Sequence, residues 1–399
     1  MEPLILMALL VLIFYILIPG AGAFYVRNQW RVFRKNIIEA SLNPMVTYKD
    51  LKHTADDFID TFRFFGTLEA IQDENLIWIR NGDISLSAEL EKSYVYILPS
   101  FSYVEKEGRF ERNKEVLPDE MPRKIPWDKI FSLPQGTKIF LSGPLVYERG
   151  KCVFKTAGKH VLSVVIYDGD EHSILRRSIW AGRQRNEYWN QFTPGSLAAG
   201  SFSLFILAYT FLRIPMQRLV ALITLTISLL PVLVLIPPGL LLFFFYRNLW
   251  KQARFLRAER DLLMLPLRYF ADVPGEVDFA EVHLPGGEPY IMKKCMDIRP
   301  FEITQAEQSP QIRTTALIRA KGLKLKDFYV FGVKGDKGMP AVPGDPMVEY
   351  LIVPGHPSTL SRQCAGKARK LEIFSALAFS AGLLINVILF FELLREIIK

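Results

Sequence analysis

Residues 219–246 read LVALITLTISLLPVLVLIPPGLLLFFFY, an uncharged apolar run broken only by Pro231, Pro237 and Pro238. A hydrocarbon core of about 30 Å needs roughly 20 helical residues, so this run exceeds one straight crossing. Proline lacks a backbone donor and clashes with the carbonyl four residues back, so a kinked or strongly tilted helix is expected here. Pro3–Val26, Ser196–Leu212 and Leu371–Leu394 are apolar blocks of the same kind, and only Arg213–Arg218 separates the second of them from the run. Residues 196–246 therefore read as a tight helical hairpin. The expected class is a multi-pass α-helical membrane protein with four spans and two β-rich (α+β) soluble domains. The expected division is 1–26 (anchor), 27–195 (first soluble domain), 196–246 (hairpin), 247–370 (second soluble domain) and 371–394 (last span).

Composition fits apolar residues collected into blocks: 50% of the chain is hydrophobic, yet 23% is charged. The 49 Lys and Arg against 41 Asp and Glu give a net charge of +8. Basic flanks of membrane segments account for that excess, and nucleic acid is not expected as a partner. One set of flanks holds Arg27, Arg31, Arg34, Lys35, Arg176, Arg177, Arg183, Arg185, Arg247, Lys251, Arg254, Arg257, Arg362, Lys367, Arg369 and Lys370. The opposite set holds Arg213, Arg218, Arg395 and Lys399. With four crossings the richer set falls on one side, so both soluble domains are expected in the cytosol and both termini outside. Glu2 in place of a positive start, with basic residues directly after Val26, favours an uncleaved anchor over the signal peptide that Ala21-Gly22-Ala23 suggests. The aromatic residues Tyr25, Trp30, Trp180, Tyr188, Trp189, Phe192, Tyr246 and Trp250 sit where interfacial belts are expected. The arrangement resembles that of multi-pass proteins of bacterial inner membranes, which implies that location.

The first soluble domain reads as β. Short alternating runs cover 63–72, 75–80, 85–90, 94–99, 137–147, 152–155 and 161–168, with hairpin turns at Asn81-Gly82 and Arg149-Gly150. Residues 101–134 form a charged excursion with a further Glu107-Gly108 turn. The order GTLEAI (66–71), IWI (77–79) and GTKIFLSGPLVYERGKCVF (136–154) resembles the strand order of OB-type barrels. That resemblance implies a small OB-like β-barrel, with Phe64, Trp78, Tyr96 and Phe140 directed into a core rather than onto an oligonucleotide-stacking face. Trp30, Phe33 and Ile37 share a helical face ringed by Arg31, Arg34 and Lys35, a pattern that suits an interfacial helix on an anionic leaflet or a helix packed on its own domain. The second domain opens on a helical stalk, continues through strands around Pro285-Gly286-Gly287, and ends at Pro354 and Pro357. A helix capped near Ser358 then runs into the last span.

The chemistry on offer is sparse. Gly332–Gly338 lacks the Gly-Lys-Ser/Thr ending of a phosphate-binding loop, and Tyr167–His172 lacks the ligand spacing of a calcium loop. His356 and Cys364 need not meet, and Cys152, Cys295 and Cys364 form no Cys-x-x-Cys pair. No catalytic residue, metal site or cofactor is expected. Within the spans Asn386 is the one strongly polar central residue, with Gly382 and Ala378 one and two turns before it. These three, and the Ser196–Gly200 pair, read as close-packing and hydrogen-bonding positions between helices. The expected function is a membrane-tethered scaffold, accessory or sensing protein with cytosolic binding domains, partnered by the bilayer and by another membrane or cytosolic protein, with oligomers allowed. The alternatives are a membrane-interface enzyme acting on lipid or envelope material, through loops such as 168–172 or 336–345, and a small transporter or channel subunit.

Overall fold

The computed structural model describes residues 2–51, 57–72, 75–100, 102–104, 114–116, 120–148, 150–183, 186–273, 275–297, 311–313, 315, 317, 327–335 and 338–397. The Glu107-Gly108 turn, Arg149, Arg185, residues 336–337 and Lys399 lie outside them.

In chain order the helices are α1 (Glu2–Val11), a π-helical stretch (Leu12–Leu17), α2 (Ile18–Ala40), α3 (Ile174–Trp180), α4 (Thr193–Leu212), α5 (Arg218–Ser228), α6 (Leu230–Leu233), α7 (Gly239–Met264) and α8 (Pro357–Ile397). Strands β1–β4 are Asp57–Gln72, Leu76–Asn81, Ile84–Glu89 and Tyr94–Ile97, and β5–β7 are Ser102–Val104, Lys114–Val116 and Arg123–Ile125. Then follow β8 (Lys138–Glu148), β9 (Lys151–Phe154), β10 (Ser163–Tyr167), β11 (Phe279–His283) and β12 (Pro289–Cys295). The last are β13 (Gln311–Ile312), β14 (Phe328–Lys334), β15 (Pro340–Ala341) and β16 (Leu351–Pro354). The chain divides into two compact units, one of residues 1–32, 184–257 and 365–399, the other of 33–183 and 258–364.

The four-span, multi-pass class does not describe this fold. The chain is mixed α/β, built on two principal sheets, and three helical stretches among the described residues are long and apolar enough to cross a membrane by length and composition. These are Pro3–Ala40, Thr193–Leu212 and Pro357–Ile397. The run 219–246 fails because its prolines break the helix instead of bending it. Helix α5 stops at Ser228, α6 lasts only to Leu233, and α7 restarts at Gly239 with eight apolar residues before Arg247 turns it polar.

The β-rich unit holds both sheets. Its first sheet has eight strands, larger than the small barrel expected. Five of them close a ring: β1 pairs antiparallel with β2 and with β8, β2 with β3, β8 with β9, and β3 runs parallel to β9. Strands β10, β4 and β7 extend outward from β8. Gly82, at the first position of the β2–β3 loop, takes φ +57°, a conformation closed to most side chains.

Register inside the ring corrects one assignment. Ile77 and Ile79 are buried at 1% and 0% exposure with Phe64, Leu68 and Leu141, so Trp78 faces out. There Lys151 lies over its ring at 5.5 Å, and its indole N–H donates to Gln72. A one-residue slip would flip the whole strand. Burying two isoleucines at about 1.5–3 kcal/mol each outweighs burying one tryptophan. Phe140 and Tyr96 are buried on the other face, Phe140 against Phe65 and Tyr96 against Phe33 at 4.6 Å. Phe33 and Ile37 are thus consumed inside the β-rich unit at 1% and 0% exposure. Arg31 and Lys35 stay exposed on that helix, Lys35 paired with Glu39, and Arg34 is half-buried.

The second sheet orders β11-β12-β14-β16-β13, with β15 on β14. Arg63 on β1 donates to the Asn43 carbonyl and pairs with Asp345, while Glu349 takes Arg313 at 2.9 Å. Arg177, fully buried in α3, donates to Asp168 and to the Pro99 carbonyl. Asp168 is thereby spent on structure.

Candidate functional site

The helical unit contains three prolines that withhold the N–H an α-helix would aim at identifiable carbonyls. In a helix the N–H of residue i serves the carbonyl of residue i−4. Counted so, Pro19, Pro231 and Pro237 withhold an N–H from Tyr15, Ile227 and Leu233, although Tyr15 lies in the π-helical stretch and Ile227 O and Leu233 O still accept the Leu229 and Ile236 N–H groups. Each of these carbonyls receives a side-chain donor from elsewhere in the unit. The Tyr188 hydroxyl donates to Tyr15 O at 2.8 Å, the Tyr15 hydroxyl to Ile227 O at 3.3 Å, and Asn386 Nδ2 to Leu233 O at 2.6 Å.

Asn386 does more than fill one gap. Its Nδ2 also donates to Ile236 O at 2.7 Å, and its Oδ1 accepts the Gly239 N–H at 3.1 Å, the first amide of α7. One planar amide thus bridges the broken segment between α6 and α7. Gly382, one turn earlier, is buried where an added Cβ would stand 2.9 Å from the Leu242 Cβ. Ala378, a further turn back, is half-buried, and beside it Phe379 meets Tyr246 at 5.2 Å.

At the other end, Ser196 Oγ donates to Phe14 O at 2.6 Å, within the π-helical stretch whose backbone bonding is irregular. The Tyr15 hydroxyl also contacts Ser201 Oγ at 2.9 Å and Ser228 O at 3.3 Å, where α5 ends. Asn190 Nδ2 donates to Pro19 O. A Cβ added at Gly200 would stand 2.6 Å from Phe14 Cβ and 2.8 Å from the Tyr15 ring. Gly200→Ala is therefore expected to destabilise the helical unit by about 1–3 kcal/mol, since overpacking forces backbone shifts. Thermal unfolding in detergent reads this; an unchanged midpoint would mean the two segments do not pack that closely.

Sequence reasoning missed Tyr15 and placed Tyr188 in an interfacial belt. The missed signal was Pro19, four residues after Tyr15. The other candidates are not drawn together into chemistry. His356 Nδ1 faces Ser358 Oγ at 2.8 Å and accepts the Ser358 N–H at 3.3 Å, so the ring caps α8 in its neutral form. Glu276 accepts from Ser358, Thr359 and Arg362 at the same helix start, which keeps its carboxyl below the ordinary 4.5. Cys364 is fully buried, and burial, with Glu259 nearby, pushes its thiol up to about 11. Asp170 caps the turn at 171–173 through the His172 N–H. Among the described residues, no three His, Cys, Asp or Glu side chains form a group that could hold a metal ion.

His356 gives a pH dependence. The side chain is 8% exposed, and burial holds its imidazole below the ordinary 6.5 despite Glu276 at 3.8 Å. The unfolded chain then binds the proton more readily than the folded one. Stability is full above 6.5 and falls as pH drops below it, by at most about 1.4 kcal/mol per pH unit for one proton. Glu276 stays ionised through that window. Denaturant titrations between pH 5 and 7, as rough bounds on that window, should show the slope in wild type and a flatter one in His356→Phe. Equal slopes would remove His356 as the cause.

The geometry of the helical unit is that of a structural joint: polar side chains complete a backbone that its prolines have interrupted. No family model matches this chain, and neither does any curated protein or solved structure.

Proposed function

We propose that this chain is a membrane-tethered scaffold, accessory or sensing protein, integral to a cell membrane, whose β-rich unit binds another protein or a ligand on the cytosolic side. The carrying observation is apolar surface left uncovered. Only 11% of the most apolar stretch in Pro3–Ala40 is buried, and 17% of that in Pro357–Ile397. Ile5, Leu9, Ile16, Phe374, Leu384 and Leu389 are each between 49% and 64% exposed. Contiguous apolar surface on that scale needs a cover, because each large side chain gains about 1.5–3 kcal/mol on leaving water. A bilayer fits best, since the helices carry Tyr25, Trp250 and exposed basic residues at the ends of their apolar stretches.

The test has two steps. Membranes carrying the protein are washed with alkaline carbonate, and the chain should stay in the pellet; release into the wash overturns the tether. Crosslinking followed by purification in mild detergent should then recover one partner at fixed stoichiometry. A chain recovered alone after crosslinking overturns the scaffold role.

A further inference from the structure

The helical unit holds a charged cluster that neither helix packing nor the tether explains. Arg257 on α7 grips Glu372 on α8 in parallel, Nε to Oε1 at 2.5 Å and Nη2 to Oε2 at 2.6 Å. Three residues back, Arg254 reaches Glu187 at 2.7 Å and lies 4.4 Å above the Trp250 ring. Arg27 enters from α2, close enough that Glu372 feels its charge together with those of Arg257 and Arg254. Among the described residues, three guanidinium groups therefore lie near two carboxylates. Arg254 is 9% exposed, and its Nε has no hydrogen-bond partner among the described residues. Arg27 is exposed and makes no ion pair among them.

The surroundings extend the excess. Arg247 and Lys251 are exposed and precede Arg254 by seven and three residues, which puts them on its side of α7. Each of these cations stands at the end of an apolar stretch: Arg27 after 3–26, Arg247 and Lys251 after 239–246. Beside them Phe244 and Phe245 are each 55% exposed. A tetrahedral phosphate accepts well from forked guanidinium donors. Basic pockets at this depth take anionic headgroups, while acyl chains cover adjoining apolar rings. A free phosphate would leave Phe244 and Phe245 uncovered.

We propose that the cluster of Arg27, Arg254 and Arg257, rimmed by Lys251, binds the phosphate of an anionic phospholipid headgroup. This rests on the membrane reading above.

The full chain, purified in detergent, is equilibrated with mixed micelles of phosphatidylglycerol and phosphatidylcholine in equal amounts, and the retained lipid is identified by native mass spectrometry. Phosphatidylglycerol should be retained several-fold over phosphatidylcholine. Arg27→Gln and Lys251→Gln alter exposed residues and should each reduce that preference by about fivefold, the effect of one basic residue near an anionic surface. Arg395→Gln, at the far end of α8, should leave it unchanged. Equal retention of the two lipids, or a preference untouched by Arg27→Gln and Lys251→Gln, overturns the proposal. Displacement of the lipid by millimolar inorganic phosphate would make the site a free-anion site and also overturns it. A chain that is released by carbonate and retains neither lipid overturns the membrane reading itself, an outcome distinct from equal retention of both.

Discussion

Asp345→Ala is expected to destabilise the β-rich unit by about 3–5 kcal/mol, because it strands a buried cation. Arg63 is 2% exposed, its Nε is committed to the Asn43 carbonyl, and its Nη1 has no hydrogen-bond partner among the described residues. Asp345 supplies the compensating charge through Oδ2 and uses Oδ1 to accept the Met347 N–H at 2.9 Å. Removing it leaves the guanidinium in a low-dielectric site with one carbonyl for company. Ion pairs at the surface behave differently. Arg395 and Glu392 are each about half exposed, and Glu392→Ala should change stability by less than about 1 kcal/mol. A second substitution separates stranded charge from lost packing. In Arg63→Met/Asp345→Ala the cation is gone, and stability should recover a good part of the loss. Denaturant unfolding followed by tryptophan fluorescence reads all three. A single variant within 1 kcal/mol of wild type, as an approximate bound, or a double variant no better than the single one, would show that solvent reaches Arg63.

That pair joins residues 282 positions apart, and no local pattern announces it. What could be read locally was period and punctuation. The prolines at 231, 237 and 238 were plain, but a kink and a break differ only in whether the freed carbonyls find other donors. Besides the local Leu229 and Ile236 N–H groups, the donors come from far away: Tyr15 stands 212 residues from Ile227, and Asn386 153 residues from Leu233. A span count made from hydropathy therefore kept as one helix what the fold divides into three. The β2 strand shows the same limit on a smaller scale. Its alternation was legible, but which half faces inward depends on the ring that Ile77 and Ile79 join, so Trp78 was put on the wrong side. Asn386, Gly382, Ser196 and Gly200 stood out through chemistry unusual in an apolar segment. Tyr15 did not, because a tyrosine among leucines and isoleucines passes as bulk unless Pro19 is counted back to its carbonyl.

Asn386→Leu is expected to destabilise the helical unit by about 2–4 kcal/mol, and the losses are unequal among its three hydrogen bonds. The side chain is 3% exposed, so water cannot replace it in place. Leu233 O keeps the Ile236 N–H at 3.1 Å and Ile236 O keeps the Leu240 N–H at 3.0 Å. Each of those carbonyls loses a second donor only, worth about 0.6 kcal/mol for an average polar contact between apolar helices. The Gly239 N–H loses the acceptor that starts α7, and a buried unsatisfied donor costs about 1–3 kcal/mol. Most of the effect should therefore appear as fraying at Gly239, where hydrogen exchange in detergent should speed up markedly while the amides of α4 keep their protection. Asn386→Asp sharpens the assignment. It retains an acceptor for Gly239 but turns a carboxylate oxygen toward two carbonyls, so it should be at least as damaging as leucine at neutral pH and recover partly when protonated. If both variants unfold at the wild-type midpoint with unchanged exchange at Gly239, the turns between Leu229 and Leu240 hold the break unaided. Asn386 would then fill space beside Gly382 rather than complete the backbone.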